Sequence, residues 1–187
     1  MAFATAADLE DYLGVTFTAA DTVRAGLILN AATESIRAYC AQTISQATTT
    51  AKLPGTWSYD LMLPEAPVTA VTTVTLNGDA LTTNSDYYWN SRGTLRRAAD
   101  FTVAPATTAH WGGPEATVSV TYTHGYATIP DAVESTCLSV AARLFANPAG
   151  VQSEMLGSYQ VQYDRSAQTG ALNDHEMQMV RQYRRRV

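Results

Sequence analysis

The feature that most restricts what this chain can fold into is a double switch of hydrophobic period. Apolar residues recur at three- and four-residue steps up to about Ala41, and give way between about Ser45 and Tyr126 to Thr, Val, Tyr and Trp punctuated by Pro and Gly. Helical spacing returns after Thr128, Pro130 and Asp131. The first and last patterns belong to helices and the middle one to strands and turns. A helix with one apolar stripe cannot stand alone, so the flanking helices are expected to pack together with the β segment inserted between them. The fold class read from this pattern is α+β: a helical core, made of an N-terminal helix pair and C-terminal helices, carrying a small inserted antiparallel β subdomain. The boundaries follow the composition: 1–44 N-terminal core helices, 45–126 β subdomain, 127–150 core helix, 151–170 extended loop, 171–187 C-terminal helix and basic tail.

Local signals place the elements. Thr5-Ala-Ala-Asp8, Thr18-Ala-Ala-Asp21 and Asn173-Asp-His-Glu176 have the capping-box form, and Gly14 ends the first helix. From Asp21 to Ala41 the residues Val23, Leu27, Ile28, Ala31, Ala32, Ile36 and Tyr39 form a stripe predicted to be buried against Val133, Cys137, Val140, Ala141, Leu144 and Phe145. Asn77-Gly78 between β-branched runs predicts a type I′ hairpin, and Ser91-Arg92-Gly93 a second turn. "HWGGPEA" from His110 reads as an exposed loop, and "VQSEMLGSYQVQYD" as extended or looped chain.

Composition excludes several functions. No apolar run reaches the roughly 20 residues that span a bilayer, and "MAFATAADLEDY" has no signal-peptide pattern, so synthesis in the cytoplasm is expected. Cys40 and Cys137 lie among apolar neighbours inside predicted helices and read as buried reduced thiols. His110, His124 and His175 have no metal-ligand spacing, there is no phosphate-binding glycine loop and no nucleophile elbow, so neither enzyme chemistry nor any cofactor is expected. Trp57, Tyr59, Tyr88, Trp89 and Tyr122 admit two readings: a stacking platform for a ligand, or the large side chains that fill the core of a small sheet. The second is favoured, because a small sheet needs them there.

Charge is uneven. The formal charge is −5, yet Arg181, Arg184, Arg185 and Arg186 are four of the 12 basic residues; without them 8 basic residues face 17 acidic ones, a balance of −9. A basic tip on an acidic body suggests a docking tail, or else a solvated helix end whose cations complement the helix dipole. Arg181, Arg184 and Arg185 would share one face if the helix continued through them.

The ordered set "LPEAPVTAVTTVTLNGDAL", "DYYWNSRGTLRR", "VSVTYTHGYATIPDAV", "NPAGVQSEMLGSYQVQY" and a final "VRQYRRR" resembles the head-to-tail connector (adaptor) proteins of tailed bacteriophages, in the variant with a β insert. The resemblance implies a structural adaptor of the virion neck: a homo-oligomeric ring, of twelve subunits, seated on the portal protein and extending the DNA exit channel. Its partners would be the portal protein and the next neck or tail protein, with genomic DNA passing without sequence recognition and no membrane involved. Arg181, Arg184, Arg185 and Arg186 would form the portal-docking tail. Met155, Leu156, Gly157, Tyr159 and Val161, apolar but without a helical home, are assigned to an inter-subunit contact or a channel-side loop. The alternative from another class is a β-rich module that binds a ligand through its aromatic residues.

Overall fold

A computed structural model describes residues 2–98, 110–147, 153–156, 159–162 and 171–185 of the chain. The fold is α+β and divides into two compact units, Gln42–Thr128 and the remainder, Met1–Ala41 with Ile129–Val187.

The first unit is helical. Helices α1 (Ala6–Leu13) and α2 (Ala19–Cys40) both open on a complete capping box, in which the threonine hydroxyl accepts the amide of the third helical residue and that residue's carboxylate accepts the threonine amide. Helix α3 (Asp131–Ala146) starts behind Pro130, and a short helix α4 (Asp174–Val180) opens on the Asn173–Glu176 box. Asn147 follows the last turn of α3, and the Pro-Ala-Gly that succeeds it lies outside the described residues.

The buried face of α2 is Ala25, Leu29, Ala32, Thr33, Ile36 and Cys40, meeting Val133, Cys137, Val140 and Ala141 of α3. This corrects the stripe read from the sequence: Ile36 and Ala32 are buried, but Val23 and Leu27 are each 69% exposed and Ala31 is exposed, while Leu144 is half-buried. The helix carries apolar residues on two faces, and the one turned to α3 sets Leu29 and Ile36 among alanines that let α3 approach closely. Both cysteines are free and buried. The Cys137 sulfur lies 3.6 Å from the Thr33 hydroxyl, and the Cys40 thiol donates to the Val180 carbonyl at 3.8 Å, linking α2 to α4.

The second unit packs two antiparallel sheets. Strands β1 (Ala47–Pro54), β3 (Val68–Leu76), β4 (Asp79–Leu81) and β7 (Thr117–His124) form one sheet in the order β1-β7-β3-β4, and β2 (Asp60–Met62), β5 (Tyr87–Trp89) and β6 (Thr94–Arg97) form the other in the order β2-β6-β5. On β7 the side chains alternate: Val118, Val120, Tyr122 and His124 point inward, and Thr121 and Thr123 point outward, bonding Thr50 and Thr48 of β1 at 2.8 and 2.9 Å. Asn77 and Gly78 both have positive φ, 53° and 99°, in keeping with the I′ turn. Where β7 ends, Gly125 (φ 84°) runs so near the entering chain that a Cβ there would lie 2.5 Å from the Ser45 carbonyl oxygen. The Tyr126 amide donates to Ile44 and the Gln46 amide to Tyr126, so the entering and leaving chains are stitched side by side.

Candidate assembly surfaces

Among the described residues, no group of three or more His, Cys, Asp or Glu side chains could hold a metal ion, and no helix is long and apolar enough to cross a membrane. The features that stand out are a clasped C-terminal arm, a hairpin and two exposed apolar faces.

The arm is fixed by Glu176, which is 2% exposed. One carboxylate oxygen accepts from the Arg143 guanidinium and from the Ser139 hydroxyl (2.8 Å), both on α3, and the other accepts the Asn173 amide at 2.9 Å. A second Arg143 nitrogen donates to the Ala171 carbonyl at 3.0 Å. A buried carboxylate so supplied with donors holds a helix of only seven residues in place. Helical geometry then ends sooner than the sequence suggested. Arg181–Tyr183 is a 3₁₀ turn and Arg184 is extended (φ −71°, ψ 131°), so Arg181, Arg184 and Arg185 do not lie along one α-helical face. The Arg184 guanidinium sits over the Tyr39 ring, 5.5 Å from its centroid, and the Arg185 amide caps the Cys40 carbonyl at 2.9 Å. Arg184 and Arg185 therefore lie at the C-terminal, negative end of α2. Arg181 and Arg184 remain exposed, Arg185 is half-buried, and Arg186 lies outside the described residues.

The segment of Met155, Leu156, Tyr159 and Val161 is a hairpin, β8 (Ser153–Leu156) paired with β9 (Tyr159–Gln162) in a register that sets Met155 opposite Gln160 and Leu156 opposite Tyr159. Gly157 lies outside the described residues.

The aromatic residues of the β unit are divided between core and surface in a way the sequence reading missed. Tyr122 is buried, but Trp57 is 71% exposed, Met62 and Tyr88 are exposed by more than half, and Tyr59 and Trp89 are also exposed. Tyr88, Arg96 and Asp60 are neighbours in one cross-strand row, with Arg96 and Asp60 3.8 Å apart. The core positions belong instead to Tyr87 and Trp111. Trp111 comes from the "HWGGPEA" segment expected to be an exposed loop; it is fully buried, donates its ring N–H to the Tyr59 carbonyl at 2.8 Å and lies beneath the Arg97 guanidinium. Exposed Tyr88, Met62 and Arg96 on one face of the β2-β6-β5 sheet are residue types enriched in protein-binding surfaces.

His124 is 1% exposed and, among the described residues, neither ring nitrogen has a hydrogen-bond partner. Burial holds its pKa below the ordinary 6.5, against a smaller opposing pull from Glu65.

Comparison with known proteins adds to this geometry. A family model described as "head completion protein" matches residues 2–186. The fold is similar to a chain in the neck of an empty gene transfer agent particle computed with C6 symmetry, with a TM-score of 0.59 and 18% identity over 97% of this chain and 90% of that one. It is similar also to a chain in the neck of the native particle computed with C12 symmetry, with a TM-score of 0.55 and 17% identity over 97% and 88% of the two chains. A chain in the virion of the native particle gives 0.57 and 17% over 97% and 90%. A search of curated proteins finds no match.

Proposed function

The chain belongs to the head completion protein family, and on that premise we propose that it is a structural protein of a virion neck, joining head to tail. The observation that carries this reading is the family match, which runs through both units. The similarity of fold to chains in gene transfer agent particle necks supports it, as does a structure whose distinctive features are surfaces.

The finer reading is a ring on the portal protein that continues the DNA exit channel. The twelve-fold and six-fold symmetries of the related necks support a ring, with twelve subunits as the natural count. Arg181 and Arg184, held out from an arm whose backbone is already fixed, are suited to pair with carboxylates on the portal, because a planar guanidinium can bind a carboxylate through two parallel hydrogen bonds. The exposed aromatic face of the β unit is suited to the next neck or tail protein. The β8–β9 hairpin is assigned to a contact between subunits or to the channel wall. An acidic body suits a conduit along which DNA slides without sequence recognition, since like charge opposes sticking.

Two measurements test this. Cryo-electron microscopy of particles should place the chain in a ring between head and tail, and particles made without it should accumulate as separate heads and tails. Complete, infectious particles lacking the chain would overturn the neck assignment. Within it, the double variant Arg181→Glu/Arg184→Glu should fold normally but fail to bind emptied, portal-bearing heads; normal binding would return the arginines to a solvated helix end.

A further inference from the structure

We infer that the outward face of α2 is the surface on which a second copy of this chain packs in the ring. The inference rests on the ring reading above and specifies which face of the chain the ring closes upon.

Two observations carry it. Of the nine exposed residues of α2, six are apolar and only Glu34 is charged. Ala20, Val23, Leu27, Ala31, Glu34 and Ala38 follow one another at steps of three and four, so they share one face from position 20 to 38, about 27 Å of helix. A face meant for water would carry lysines and glutamates at those steps. A helix apolar on opposite sides is built to be covered on both, and within the described chain only one side is.

The second observation is Gly26. A glycine in a helix interior costs about 1 kcal/mol relative to alanine, and nothing in this chain requires it: a Cβ built there meets no atom within 4 Å, and the residue does not have positive φ. A glycine that the fold itself does not need, one position from Leu27 at the edge of the stripe, leaves room for another backbone to come close.

The occupant follows from charge and symmetry. The stripe holds a carboxylate and no cation, so DNA phosphates are not its target. A ring of more than two identical subunits requires each copy to bury two different faces against its neighbours. A straight, long, small-residue stripe present on every copy meets that need directly.

Three variants test this on the full chain and on assembled particles. Gly26→Ala should raise the melting temperature of the isolated chain by about 2–4 °C, yet reduce its incorporation into necks at least several-fold, a combination that a purely structural role for Gly26 cannot give. Leu27→Asp, at a position already exposed, should leave the melting temperature unchanged and abolish incorporation. A benzoylphenylalanine photo-crosslinker at position 27, in assembled particles, should give an adduct of twice the chain mass. An adduct with a different neck protein, no adduct at all, or normal incorporation of Gly26→Ala and Leu27→Asp would overturn the inference while leaving the neck assignment intact. Absence of the wild-type chain from the neck would remove both.

Discussion

Replacing Glu176 by alanine should unclasp the C-terminal arm without unfolding the rest of the protein. The carboxylate is buried and takes three hydrogen bonds, from Arg143, Ser139 and the Asn173 amide, and its removal leaves the Arg143 guanidinium, whose side chain is 20% exposed, without its counter-charge. Breaking a buried ion pair from one side costs about 3–5 kcal/mol. Arg143 keeps its bond to Ala171 and has some access to water, so the lower end, about 3 kcal/mol, is the expected loss. Because α4 has seven residues and no stability of its own, the loss should appear as local opening of the arm. Hydrogen exchange read by mass spectrometry is the assay: Met177, Val180 and Arg185 should lose protection by about two orders of magnitude, while β7 is unchanged. Glu34→Ala is the control, because its ion pair with Arg37 is on the surface and is worth only about 0.5 kcal/mol. An effect of Glu176→Ala no larger than this control, or equal loss of protection in β7, would refute the clasp.

The buried His124 should make stability fall in acid. Its folded pKa lies below 6.5, so the unfolded chain takes up the proton first as pH drops, and the urea midpoint should decline below about pH 6.5, with a slope of up to about 1.4 kcal/mol per pH unit; His124→Phe should remove that part of the slope. Trp111→Ala should destabilise the β unit by about 3–5 kcal/mol, whereas Trp57→Ala should stay within about 0.5 kcal/mol in thermal unfolding. Burial pushes the Cys40 thiol up to about 11 and also raises Cys137, so Ellman's reagent at pH 8 should find no reactive thiol in the native protein and two after denaturation.

Chemistry confined to a few consecutive residues was legible in the sequence. The three capping boxes, the Gly14 cap and the Asn77-Gly78 turn depend on local backbone geometry, and all are present. What depends on partners distant in sequence was not. In α2 two apolar stripes compete, and choosing between Val23–Leu27–Ala31 and Ala25–Leu29–Ala32 requires knowing that α3 presents Cys137 and Ala141, which admit a close approach. In β5 the residues Tyr87, Tyr88 and Trp89 offer an aromatic to either face, and a shift of one residue in register exchanges core for surface. Strand β1 has no strand signal of its own, because its outward face is largely threonine and its pattern lacks an apolar run. Trp111 sits in a Gly-Pro segment that reads as loop, although the tight turn after it, where Gly112 has positive φ and a Cβ would lie 2.6 Å from the Ala116 Cβ, is local chemistry of the same segment.

The arm's geometry bears on how it can function. Its backbone is secured at both ends, by Glu176 on α3 and by the Arg185 amide on the last turn of α2, while the Arg181 and Arg184 side chains stay exposed. A partner that takes these guanidiniums has little ordering to impose, since the segment is already held in one conformation, and most of the interaction energy is left for binding. Among the described residues the Arg184 guanidinium has a cation–π contact with Tyr39 to give up, worth about 0.5–1 kcal/mol at an exposed site, against about 1.5–3 kcal/mol for a hydrogen bond to a charged group. The exchange therefore favours a carboxylate partner. If the arm docks as proposed, the clasp matters more than the cations alone, because an arm freed at Glu176 keeps every charge and loses the arrangement that would present them.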